Sequence, residues 1–167
     1  MDTNSTPNIT EQMSAFDLLL DATDKEDTIS GGYVERPVWS RVEMRIERAF
    51  QFGGTVRLHL GKFSSERSRG FTSKEFLAME SLPGKYRLIF SPELRSLSEK
   101  SNLREWWESG DAPFRGTVLF GDDEWDARTV CSDITVVKQM FKDYFDNGKL
   151  TELGYSQMLS GWNRKPR

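Results

Sequence analysis

The chain has 167 residues, a formal net charge of −3, 29% charged and 37% hydrophobic residues, a profile that fits one globular domain with its own core. It holds a single histidine, His59, and a single cysteine, Cys131, with no signature motif around either. An internal disulfide is excluded, and the usual His- and Cys-based catalytic and soft-metal chemistries have almost nothing to draw on.

Residues 1–14 read as a flexible tail, and Met1 to Thr10 lacks the basic and apolar regions of a signal peptide. No apolar run is long enough for a transmembrane helix, so a cytoplasmic protein with no membrane partner is expected. Charge is distributed unevenly. Residues 1–30 carry seven acids against Lys25 alone, a balance of −6, and the remainder carries +3. Phe16, Leu18 and Leu20 alternate with Asp17, Leu19 and Asp21, which suits a short strand, with a helical turn as the alternative. Asp21 to Gly32 is acidic, ends in Gly31-Gly32 and reads as a loop.

From Pro37 to Phe52 the period changes. Val38, Trp39, Val42, Ile46, Ala49 and Phe50 recur at helical spacing, and Arg41, Arg45, Arg48, Glu43 and Glu47 occupy the remaining circumference. Pro37 suits the first turn, and Gly53-Gly54 supplies a stop with one glycine as a left-handed cap. Thr55 to Lys62 returns to period two: Val56, Leu58 and Leu60 lie on one face, Arg57 and His59 on the other. Lys62 to Lys74 reads as a long polar connection. Glu75 to Ser81 and Lys85 to Ser91 flank Leu82-Pro83-Gly84-Lys85, a type II turn sequence, and so form a hairpin.

Pro92 to Pro113 breaks the strand pattern, and a helical turn is expected over Ser101 to Ser109 with Leu103, Trp106 and Trp107 as its apolar contacts. A further hairpin is expected from Gly116 to Phe120 and Trp125 to Cys131 around Gly121-Asp122-Asp123-Glu124. Asp133 then caps a helix with Val137, Met140, Phe141, Tyr144 and Phe145 as its buried stripe and Asn147-Gly148 as its stop. Residues 161–167 form a basic tail. These elements predict one α+β domain over residues 15–160, with a mostly antiparallel sheet of five to six strands and two amphipathic helices packed on it.

Candidate functional residues are few. His59 lacks a visible partner to orient it as a general base, and Cys131 reads as a small buried residue at a strand end. Asp122, Asp123, Glu124 and Asp126 form the densest acidic cluster in the folded region, either solvated turn residues or a contact for a basic partner. They lack the ligand spacing and central glycine of a calcium loop, and no metal or cofactor is expected. Asp24, Glu26 and Asp27 in the acidic head are further candidates for a basic partner. Trp106 and Trp107 cannot both point the same way on a helix, so one is either exposed, which makes Trp106 a candidate contact, or partly buried in the core. Lys62, Arg67, Arg69 and Lys74 surround Phe63 and Phe71 as a nucleic-acid loop would, but Glu66 and Glu75 interrupt them. No phosphate-binding glycine motif or serine-hydrolase elbow is present.

The ordered pattern carries a resemblance. Gly31-Gly32-Tyr33, Arg36-Pro37-Val38-Trp39 and Gly53-Gly54-Thr55-Val56-Arg57-Leu58 are followed by Pro83-Gly84-Lys85-Tyr86 and Trp125-Asp126-Ala127-Arg128. Asp133 then opens a helix that ends Phe145-Asp146-Asn147-Gly148. From about Gly31 to Leu150 the chain resembles small bacterial α+β proteins that look like immunity proteins of polymorphic and contact-dependent growth inhibition toxin systems. The resemblance implies a cytoplasmic antitoxin without catalytic residues, binding a cognate protein toxin that is basic if it acts on nucleic acid. Two other classes remain open: an adaptor or structural subunit of a phage or secretion assembly, and a carboxylate-based enzyme or nucleic-acid-binding module using the Lys62 to Lys74 segment.

Overall fold

The computed structural model describes residues 11–26, 32–65, 70–92, 103–109 and 111–160. Its main sheet is antiparallel throughout and has seven strands: β1 (Leu18–Asp24), β2 (Gly32–Glu35), β3 (Gly54–Phe63), β4 (Phe71–Leu82), β5 (Lys85–Ser91), β6 (Arg104–Trp106) and β9 (Met158–Ser160). Their order across the sheet is β2-β1-β3-β4-β5-β6-β9. A separate two-stranded hairpin, β7 (Thr117–Phe120) and β8 (Asp123–Asp126), stands apart from it. The α-helices among the described residues are α1 (Trp39–Phe52), α2 (Ile134–Asn147) and the short α3 (Glu152–Ser156).

Alternation along the strands divides the sheet into two faces. Ala22, Val56, Met79 and Leu88 form one cross-strand row and Leu20, Leu58, Leu77 and Phe90 the next, all buried. Helices α1 and α2 cover this face. Helix α1 buries Val42, Ile46 and Ala49, and α2 buries the whole expected stripe of Val137, Met140, Phe141, Tyr144 and Phe145. Where the helices meet, the Trp39 and Phe145 rings pack edge-on at 5.6 Å, and Lys138 reaches Glu43 at 3.3 Å.

The helix ends follow local chemistry. The Asp133 carboxylate accepts from the Thr135 N–H at 2.9 Å and caps α2, and Gly148 closes it with φ +62° in the left-handed region. Helix α1 ends differently from expectation: Gly53 has φ +81° but ψ 154°, so the chain leaves directly into an extended strand instead of a left-handed cap. At Pro83-Gly84 the type II turn is present, with Gly84 at φ +77°.

Four further expectations change. The acidic stretch after Asp21 is not all loop, because β1 continues to Asp24 and Gly32–Glu35 pairs with it as the edge strand β2. Lys62 to Lys74 is largely hairpin: Phe63 pairs with Phe71, and a register shift at Leu60/Gly61 lets the strands run on past the core. The turn expected to be helical is strand β6, covered on both faces, so that Trp106 and Trp107 are both buried. Finally, β8 starts at Asp123 and gives way to a single 3-10 turn, Ala127–Thr129, before Cys131 pairs with Tyr86.

Candidate functional site

The second face of the main sheet is unevenly covered. Over β5 and β6 it is capped by the β7–β8 hairpin. There the Arg87 guanidinium lies 3.3 Å from the Trp125 ring centroid, and its Nε donates to Glu105 Oε1 at 3.0 Å. Beside it Arg128 donates to Asp126 Oδ2 at 2.7 Å and lies 4.5 Å from the Trp107 ring. Lys85 Nζ reaches the Leu119 carbonyl at 3.4 Å and fastens the hairpin's outer end.

Over β1 to β4 no described residue covers the same face. A groove of about 730 Å³ runs there, lined by residues from Leu19 on β1 to Phe76 on β4. Two cross-strand rows build it. Glu35, Leu19, His59 and Phe76 stand side by side in one, and Tyr33, Asp21 and Arg57 in the other. Phe71 and Ser73 close the end beyond the register shift. Tyr33 is 72% exposed, far more than a packed aromatic.

The polar groups of the groove are partly paired. Arg57 Nη1 lies 3.5 Å from Asp21 Oδ2. His59 Nδ1 lies 3.0 Å from Ser73 Oγ, and its ring is 5.3 Å from that of Phe76. Burial holds the His59 imidazole below its ordinary pKa, with Asp21 opposing that shift and Arg57 adding to it. The imidazole is therefore neutral at pH 7. Among the described residues the Glu35 carboxylate has no ion pair and accepts no hydrogen bond. Beside the groove's far end, where the Phe63 and Phe71 rings pack at 4.9 Å, Arg36 lies 4.1 Å from the Phe63 ring and 3.5 Å from Asp17. Its φ of +47° makes it the one described non-glycine residue in left-handed backbone.

Residues 15–153 match the family described as "Family of unknown function (DUF6911)". The chain belongs to that family. The DUF6911 span takes in α1, α2 and strands β1 to β8, and so contains the groove and the hairpin that caps the neighbouring part of the face. No curated protein and no solved structure matches the chain.

The acidic residues singled out from the sequence do not form one site. Asp122, Asp123 and Glu124 are exposed at the turn of the small hairpin, whereas Asp126 is buried and occupied with Arg128. Asp24 is also buried: its Oδ2 lies 2.9 Å from Arg48 Nε and 3.7 Å from Arg45 Nη1, which ties the end of β1 to α1. Glu26 is exposed, with its N–H donating to Asp24 Oδ1, and Asp27 lies outside the described residues. Trp106 is only 8% exposed and faces the core, so it is no surface contact. Arg67 and Arg69 also fall outside the described residues, while Lys62 and Lys74 lie on β3 and β4.

Cys131 is buried, as its strand-end position suggested. No group of three or more His, Cys, Asp and Glu side chains able to hold a metal occurs among the described residues. Nor is any described helix long and apolar enough to cross a membrane. Of the groove, sequence reasoning found only that Arg57 and His59 turn away from the core. Alternation in β1 carries the same signal for Leu19 and Asp21, but nothing local marks Tyr33 and Glu35 as their neighbours.

Proposed function

We propose that the chain is a non-catalytic protein-binding module, an immunity protein that neutralises a cognate bacterial toxin in the cytoplasm by direct contact. The observation that carries this reading is the half-covered sheet face. One end is sealed by a hairpin, and the other leaves aromatic rings, the Glu35 carboxylate and an ion pair at the surface. Exposed aromatic groups mixed with charge are the composition of a contact surface, where rings supply area and charges supply register. The exposed Asp122, Asp123 and Glu124 adjoin Leu119, 63% exposed, and offer an acidic rim that would speed encounter with a basic partner. The resemblance to immunity proteins supports the same reading.

The test is protection. The chain is co-expressed with the toxic C-terminal domain encoded by the adjacent reading frame, and growth is followed together with complex formation by size-exclusion chromatography. Rescue with a one-to-one complex is expected. Changing Asp122, Asp123 and Glu124 together to lysine should slow association with a basic domain without unfolding the chain. Lack of both rescue and complex refutes the proposal.

A further inference from the structure

The groove on the open sheet face has a chemical preference. Leu19 stands between Glu35 and His59 in one cross-strand row, with Phe76 beyond His59, and such neighbours lie about 5 Å apart. A group lying over Leu19 therefore meets a carboxylate at one end and aromatic rings at the other. Tyr33 on β2 and Phe71 on β4 add rings at the margins. The charges favour a cation: Arg57 is occupied with Asp21, Glu35 has no counter-charge among the described residues, and His59 is neutral at pH 7. The balance of the groove is one negative charge.

We infer that this groove receives a basic side chain, arginine or lysine, presented by a protein partner, with Glu35 as its counter-ion, Tyr33 as the ring beside its charged head, and Leu19 and His59 beneath its stem. Cations are drawn to ring faces, and a carboxylate at the end of an apolar slot fixes their orientation. An arginine or lysine stem would cover Leu19 while its charged head reaches Glu35. The inference rests on reading the chain as a protein-binding module and names the chemistry that module recognises.

The probe is N-acetyl-arginine methylamide, titrated into the full chain labelled with nitrogen-15, with N-acetyl-glutamate methylamide as control. Saturable shifts of the Leu19, His59 and Phe76 amides are expected for the arginine compound and none for the glutamate compound. Glu35→Gln and Tyr33→Ala alter exposed side chains and should keep the folded spectrum, yet each should weaken binding by about threefold. No saturable shift with the arginine compound, equal shifts with the glutamate compound, or unchanged affinity in both variants overturns the inference. The two readings fail separately. Arginine binding at the groove without protection in the growth assay removes the immunity function and leaves the groove assigned, whereas protection unaffected by Glu35→Gln together with no arginine binding does the reverse.

Discussion

The contact between the small hairpin and the sheet rests on charge as much as on apolar area, and Glu105→Leu tests that directly. Arg87 and Glu105 side chains are only 6% and 9% exposed, so both charges are largely desolvated. Removing one partner of a buried pair typically costs about 3–5 kcal/mol, because the other charge is left without compensation. Here Glu80 lies 3.7 Å from Arg87 and is 38% exposed, so it retains part of the compensation. The expected loss is therefore near the lower end, about 3 kcal/mol, or about 6–12 °C in Tm for a domain of this size. The double variant Arg87→Met/Glu105→Leu should behave differently. It removes both charges, keeps a polarisable thioether against Trp125, and should unfold within about 1 kcal/mol of the native chain. Urea unfolding followed by far-ultraviolet circular dichroism gives both values, provided the denaturant slope is unchanged. A loss below about 1 kcal/mol for Glu105→Leu would mean that the hairpin does not exclude water from the pair. A double variant as unstable as the single one would equally refute the reasoning.

His59 supplies a second prediction through pH. Its folded pKa is lowered by burial, so the unfolded chain takes up a proton first as pH falls. The stability it contributes is fully present above the unfolded value of about 6.5 and is lost as pH falls toward the folded value. Because it is the chain's only histidine, one imidazole proton resonance reports the folded midpoint, which should lie below about 6.5; His59→Gln should flatten stability over that interval. Asp133 works over a more acidic range. Its pKa is lowered by the Thr135 hydroxyl and then by the Thr135 N–H, so its contribution exists above the ordinary carboxylate range and disappears as pH falls through its folded value. Asp133→Ala should lower Tm at pH 7 and remove that acid dependence, whereas Asp133→Ser should restore the cap without it. At Gly54, φ is +147° and an added Cβ would lie 2.1 Å from the Thr23 carbonyl oxygen, so Gly54→Ala should separate β1 from β3 and abolish a cooperative thermal transition.

The helices were legible in the sequence because each buries one side only. Val42, Ile46 and Ala49, like Val137, Met140 and Tyr144, leave a 3.6-residue imprint that no neighbour disturbs. Strand β3 was legible for the matching reason: one face meets helices and alternation survives. Strand β5 is covered on both faces, yet its alternation survives because the face under the small hairpin carries Lys85 and Arg87. Strand β6 was not. With the helix side over Trp106 and the small hairpin over Glu105 and Trp107, both faces are covered and alternation disappears, leaving a pair of tryptophans that reads as a helical turn. The end of the β3–β4 hairpin was misread because its polar residues run beyond the core while the backbone pairing continues. The acidic cluster divided because Asp126 begins a 3-10 turn and binds the arginine two positions on, a pairing that composition cannot show. The groove is assembled from four strands, so its parts are distant in the chain and only the sheet order makes them neighbours.

That sheet order also governs how another molecule can approach. Among the described residues the long strands, β3 with ten residues and β4 with twelve, lie inside, while the margins are β2 with four residues and β9 with three. Such short margins offer little backbone for a foreign strand to copy, which protects against edge-to-edge aggregation. The same arrangement leaves side chains, not main-chain ladders, as the surface that a visitor reads. Recognition here would then be altered by point substitution on the open face, with the scaffold beneath it unchanged.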